Sequence, residues 1–152
     1  MKKKPAKPSA ILNRRARFDY ELSSDLVVGI VLTGPETRAA RDGHVQLRGS
    51  FVTIRDGELW LNNASFSLKL NQRGGIERSV DSRARKLLAH RKQIDQFAAQ
   101  KKAGMSIIPT KLLTEGHHIK LVIALGKGKK RWDKRETIKR RDSEREHKKS
   151  LR

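Results

Sequence analysis

From Arg131 to Arg152 the chain carries only three large apolar side chains, Trp132, Ile138 and Leu151. A segment so poor in apolar surface cannot build or share a core, because burial of such surface is what offsets chain entropy on folding. Any core must come from upstream, and there the dominant period is two. In "VQLRGSFVTIRDGELWLNNASFSL", Phe51, Thr53 and Arg55 fall on one parity and Val52 and Ile54 on the other. Asp56-Gly57 supplies a two-residue hairpin turn, and Leu59, Trp60 and Leu61 follow it. Short apolar pieces between Ile11 and Val31, with "GIVLTG" the clearest, read as further strands. "MSIIPTKLL" and "HIKLVIAL" read as a second hairpin joined through "TEGHH".

Two segments carry helical signals. "PETRAARDG" opens on Pro and closes on Gly, the asymmetry of a short helix. "DSRARKLLAHRKQIDQFAAQKKAG" places Leu87, Leu88, Ile94, Phe97 and Ala98 near a 3.6-residue spacing, so it predicts one long helix capped at Asp81 or Ser82 and ending before Gly104. The expected body is mainly β, a small antiparallel barrel with flanking α-helices.

Charge divides the chain. Of 152 residues, 36 are Lys or Arg and 16 are Asp or Glu, a formal net charge of +20. Residues 1–20 hold seven basic side chains against one acid, and residues 126–152 hold thirteen against five. The longer middle is only mildly basic. The expected organisation is a disordered basic arm over 1–10, a folded barrel with helices over 11–130, and a basic tail over 131–152. The tail is expected to be disordered when free, since isolated helices of this length are marginal in water and i,i+4 pairs such as Glu136–Arg140 add only ~0.2–0.5 kcal/mol each. It should order against a partner that supplies negative charge.

Such an excess favours a polyanion, and RNA fits better than a membrane. No apolar run approaches the ~20 residues that span a bilayer, and the basic N-terminal stretch lacks the apolar region of a signal peptide. With no cysteine there is neither a disulfide framework nor a Cys-ligated zinc site, which fits a cytoplasmic protein. His44, His90, His117, His118 and His147 form no metal-binding pair, and "GKGKK" lacks the spacing and hydroxyl of a nucleotide-hydrolysing loop. No catalytic constellation, cofactor, metal or small-molecule substrate is expected. Trp132 offers a flat face to a base, worth ~1–3 kcal/mol if stacked, or else an apolar anchor that folds back on the body. A ribosomal protein with basic extensions, or an RNA-acting enzyme on the same barrel, are the alternatives left by composition.

The motifs narrow this. "GKGKKRWDKRETIKRRD" resembles A-[KR]-G-K-K-x-[YH]-D-K-R-x-x-I-K-x-R-[DE] of the SsrA-binding protein (small protein B) family, and "NRRARFDY", "GIVLTGPETRAARDG", "RDGELWL" and "SRARKLLAHRKQI" resemble other family segments in the right order. The resemblance spans roughly residues 10–142. It implies an oligonucleotide-binding (OB) type barrel and a non-enzymatic adaptor that holds the tRNA-like domain of transfer-messenger RNA and enters stalled ribosomes for trans-translation. Carried over by motif, Asn13, Arg15, Arg17, Lys120, Lys127, Lys129 and Lys130 are the expected RNA-binding set. Trp132, Asp133, Lys134, Arg135, Ile138, Lys139, Arg140 and Arg141 are expected in the ribosomal decoding centre and empty message channel, on small-subunit ribosomal RNA. Three departures stand out. Val27 occupies the place of a usual Glu, with Asp25 the nearest substitute. Phe18 replaces a His and Pro35 a Thr, while Glu36, Arg38 and Arg41 are retained in kind.

Overall fold

The structure is a computed structural model that describes residues 9–72 and 75–151. The chain runs β1 (Ala10–Leu12), α1 (Arg14–Asp19), β2 (Tyr20–Ile30), α2 (Gly34–Arg41), β3 (Val45–Gln46), β4 (Phe51–Arg55) and β5 (Glu58–Asn62). It continues with β6 (Ser65–Gln72), β7 (Gly75–Asp81), β8 (Arg85–Leu88), α3 (Arg91–Gln100), β9 (Met105–Leu113), β10 (Lys120–Gly128) and α4 (Arg131–Ser150). The expected disordered arm lies outside the described residues up to position 8; Ala10 already pairs with Leu113.

Strands β9, β10, β2, β8, β5 and β4 pair in that order, and Val52 on β4 pairs back to Ile107 on β9. Every pairing is antiparallel. The sheet therefore closes into a six-stranded barrel, as expected for a mainly β OB-type body with flanking helices. Strands β3, β6 and β7 make a separate three-stranded ribbon. Period-two parity sets the interior: Val52 faces Leu61, Leu59 faces Leu87, and Leu121 faces both Leu112 and Val28, all buried. Each such side chain contributes roughly 1.5–3 kcal/mol on burial. The β4–β5 hairpin turns at Asp56 (φ 50°) and Gly57 (φ 73°), a left-handed pair that the Asp-Gly sequence accommodates at little cost.

Two expectations needed correction. The long helix from Asp81 or Ser82 is a strand followed by a shorter helix. Arg85 and Leu87 are buried while Leu88 is exposed, so the true period there is two. A buried Arg reads as polar in any hydropathy pattern, which hid the alternation. Its burial is made tolerable by a network. Arg85 donates to Glu36 Oε1 at 3.0 Å and to the carbonyls of Ala64, Arg83 and Asp81, and its guanidinium lies 3.9 Å from the Phe66 ring centroid. Burial acts to raise the Glu36 carboxyl, but the Thr33 N–H, Arg83 and Arg85 outweigh it and hold it below its ordinary value. Glu36 also accepts from the Thr33 N–H at 2.9 Å, which caps the short α2 helix that "PETRAARDG" predicts.

Within the stretch whose short apolar pieces read as strands, residues 14–19 form α1. Asn13 Oδ1 accepts from the Ala16 N–H at 3.2 Å, an N-cap that apolar spacing alone does not reveal. The tail segment forms a helix over Arg131–Ser150. The Lys130 N–H donates to Asp133 Oδ2 at 3.3 Å, and His147, Lys148 and Lys149 sit in the last turn, where cations complement the helix dipole. Among the described residues its within-helix ion pair is Arg140–Glu144 at 4.0 Å, where the sequence reading offered Glu136–Arg140. No residue of this helix is buried.

Candidate nucleic-acid interface

The basic surface is organised around α1. Asn13 is buried, and its Nδ2 donates to the carbonyls of Leu47 (3.1 Å) and Pro109 (2.8 Å) while its N–H bonds Thr110 O at 2.8 Å. With its acceptor taken by Ala16, this side chain is satisfied internally. Its bonds fix where Arg14, Arg15 and Arg17 project, all of them exposed. Arg15 Nε donates to Asp19 Oδ2 at 2.8 Å, and its guanidinium lies 4.7 Å from the Phe18 centroid.

The C-terminal end of α1 is tied to the end of β10. The Lys129 N–H donates to Asp19 O at 2.9 Å and its Nζ donates to Arg17 O at 3.0 Å, so Lys129 caps carbonyls that the helix leaves open. Lys127 and Lys130, on either side, are exposed and have no ion-pair partner among the described residues. Lys130 leads directly into α4, so the body's basic edge and the tail share one junction.

The first three turns of α4 rest on α1. Lys134 Nζ lies 3.2 Å from Asp19 Oδ1, and Arg141 sits 5.7 Å from the Phe18 centroid. Burial acts to raise Asp19, but hydrogen bonds and charge from Lys134 and Arg15 outweigh it and hold the carboxyl below its ordinary value. Trp132 is 60% exposed and Ile138 47%. Asp133 accepts the Lys130 N–H, and its carbonyl accepts Thr137 Oγ1 at 3.0 Å. Arg135, Lys139 and Arg140 point to solvent.

Lys120 lies apart from these groups. It pairs with Gly29 across β10–β2, and Gly29 in turn pairs with Leu88. A Cβ at Gly29 would stand 3.2 Å from Leu88 Cβ, so glycine lets these two strands approach on the outer face. Val27, on the same parity, and Leu88 are both about half exposed there. Lys120 thus borders an apolar outer patch, and Val27 enlarges it where the resemblance led us to expect a carboxylate. Asp25 is exposed beside Ser24, whose φ of 55° marks an irregularity in β2. Arg41 serves the loop between β9 and β10, donating to Gly116 O (3.0 Å) and His117 O (3.1 Å). Among the described residues no group of three or more His, Asp or Glu converges to hold a metal ion.

The family model described as SmpB protein matches residues 10–152. The chain belongs to the SmpB family. An SsrA-binding protein of Prochlorococcus marinus is 44% identical over 140 residues, covering 91% of this chain and 84% of the relative. One of Ligilactobacillus salivarius is 38% identical over 151 residues, covering 99% and 96%. A chain in a solved structure described as "tmRNA-SmpB: a journey to the center of the bacterial ribosome" superposes with a TM-score of 0.65 at 31% identity, over 86% of this chain and 95% of that one. Within this SmpB-family fold, motif matching had pointed to Arg15, Lys134 and Arg141 separately. It missed their shared anchors, Phe18 and Asp19, and the structural role of Glu36, because neither ring–cation contacts nor buried ion pairs leave a periodic signature.

Proposed function

We propose that the chain is a cytoplasmic, non-enzymatic RNA-binding adaptor that holds the tRNA-like domain of transfer-messenger RNA and delivers it to stalled ribosomes for trans-translation. The observation that carries this reading is the junction at Lys129, which ties the end of α1 to the end of β10, just before α4 begins, inside an SmpB-family barrel. It sets Arg14, Arg15, Arg17, Lys127 and Lys130 around one edge, where phosphates can be neutralised. Lys120 and the apolar patch beside it offer a second contact on the barrel wall, where Val27 and Leu88 suit the face of a sugar or base.

The tail has a different part. Trp132, Asp133, Lys134, Arg135, Ile138, Lys139, Arg140 and Arg141 belong to a helix without buried residues. A helix that is polar all round gains its stability from charge-assisted contacts outside the chain, and small-subunit ribosomal RNA around the decoding centre and empty message channel supplies them. The contacts to α1 are weak enough to exchange. A partly exposed ion pair is worth about 0.2–1 kcal/mol and an exposed cation–π contact about 0.5–1 kcal/mol. The tail is then a preformed helix that leaves α1 for the ribosome, the Trp132 face becoming available to a ribosomal base.

The test is a titration of the full chain with the tRNA-like domain and with unrelated structured RNAs across a salt series. Preference for the tRNA-like domain, with affinity falling log-linearly with salt, is expected. Equal affinity for every RNA would overturn the reading.

A further inference from the structure

Between α1 and α4 lies an open cleft of about 670 Å³ whose lining includes Leu12, Arg14, Arg48, Ile138 and Arg141, with Phe18 beneath. Its composition is uneven. Four of the lining side chains are arginines, counting Arg15, and none is an acid. The floor is apolar and accessible: Leu12 is 58% exposed and Ile138 47%, although neither is needed by the barrel core. Arg15 and Arg141 both lie near the Phe18 ring, 4.7 and 5.7 Å from its centroid. Neither Leu12 nor Arg48 belongs to any residue set carried over by motif.

We propose that this cleft binds a short single-stranded RNA segment, at a site separate from the surface that holds the folded tRNA-like domain. The inference rests on the RNA-binding reading only for the class of ligand. Arg15 is paired with Asp19, which does not line the cleft, while Arg14, Arg48 and Arg141 have no ion-pair partner among the described residues. Three such cations select a polyanion. An apolar floor selects bases whose faces are free, which a duplex hides within its stack. Guanidinium groups gathered beside an aromatic ring offer flat faces for stacking and N–H groups for phosphates, a combination that suits unpaired bases and their backbone. One wall of the cleft, Ile138 and Arg141, comes from the tail, so occupancy requires the docked helix and opposes its departure. The segment would act as a strap that keeps the tail on the body until a stronger partner takes it.

The probe is a fluorescein-labelled hexauridine, titrated by anisotropy into the full-length chain, with the tRNA-like domain titrated in parallel. Leu12→Glu and Arg48→Glu should each weaken hexauridine binding about tenfold, the scale of one lost base contact. Both residues are exposed, so neither change disturbs the core. Lys92→Glu, a matching charge reversal on α3 outside the cleft, should weaken it about threefold or less through general electrostatics. A hexamer carrying 4-thiouridine should cross-link to the peptide spanning Leu12 and Phe18. Equal effects of the three substitutions, cross-links confined to other regions, or tighter binding of a polyglutamate peptide than of hexauridine would each overturn the proposal. Loss of hexauridine and tRNA-like-domain binding by the same factor would overturn the separateness of the site. Cleft-dependent hexauridine binding without preference for the tRNA-like domain would defeat the adaptor reading and leave the cleft standing.

Discussion

The barrel and the tail helix are held by forces of different size. In the barrel, Leu59, Leu61, Leu112, Leu121 and Ile123 are wholly buried, and even its charged member, Arg85, has all its directions satisfied. The tail has no buried residue and meets the body through Lys134–Asp19 and Arg141–Phe18. One part is held by its own core; the other is held on the body by surface contacts alone. A molecule built this way can keep a rigid grip on one RNA while offering a helix to another.

That contrast can be attacked from either side. The largest effect should come from Glu36→Ala, which strands Arg85 in the interior. Breaking a buried pair from one side costs about 3–5 kcal/mol, so urea denaturation should show a large loss of stability. If Glu36→Ala is tolerated within 1 kcal/mol by roughly the surface-pair scale, the network is not the keystone drawn here. Leu59→Ala should follow at about 2–5 kcal/mol by the same measurement.

Acid should separate the two regions next. Both Glu36 and Asp19 titrate lower in the folded chain than their ordinary values of 4.5 and 3.8. The stability they confer is therefore complete above those values and is lost as pH falls through the depressed native ones. Stability measured from pH 7 downward should stay flat with respect to these groups until about pH 4.5 and then decline. A decline already complete above about pH 5 would contradict this assignment. The smallest effect belongs to Lys134→Ala. Its global stability should change by less than about 1 kcal/mol, while hydrogen exchange across residues 131–141 accelerates. Unchanged exchange would mean that the Asp19 contact does not dock the helix.

How much of this was legible in the sequence follows from the same physics. Alternation at Val52, Leu59 and Leu61 and the Asp56-Gly57 turn gave the hairpin, because a half-buried strand writes its period directly into hydropathy. The change in composition from Arg131 onward was equally plain, since the absence of apolar residues is itself a pattern. Arg85 defeated the reading of β8, as a charged side chain in the interior inverts the expected parity. The short α1 helix depends on a capping Asn13 and on long-range bonds to Leu47 and Pro109, which no local window contains. The interface followed a similar rule. Cations at Arg15, Lys127 and Lys130 could be matched by motif, but the acid and ring that gather Arg15, Lys134 and Arg141 at α1 required the fold. Lys129 was matched as an RNA contact, while its side chain is engaged with the Arg17 carbonyl.

The division of labour between barrel and tail is tested most directly by truncating the chain after Lys130. Binding to the tRNA-like domain and peptide tagging on stalled ribosomes would be measured on the same preparation. The account predicts that RNA affinity is largely retained and tagging is abolished. Loss of both activities together, or tagging that persists without the helix, would contradict it.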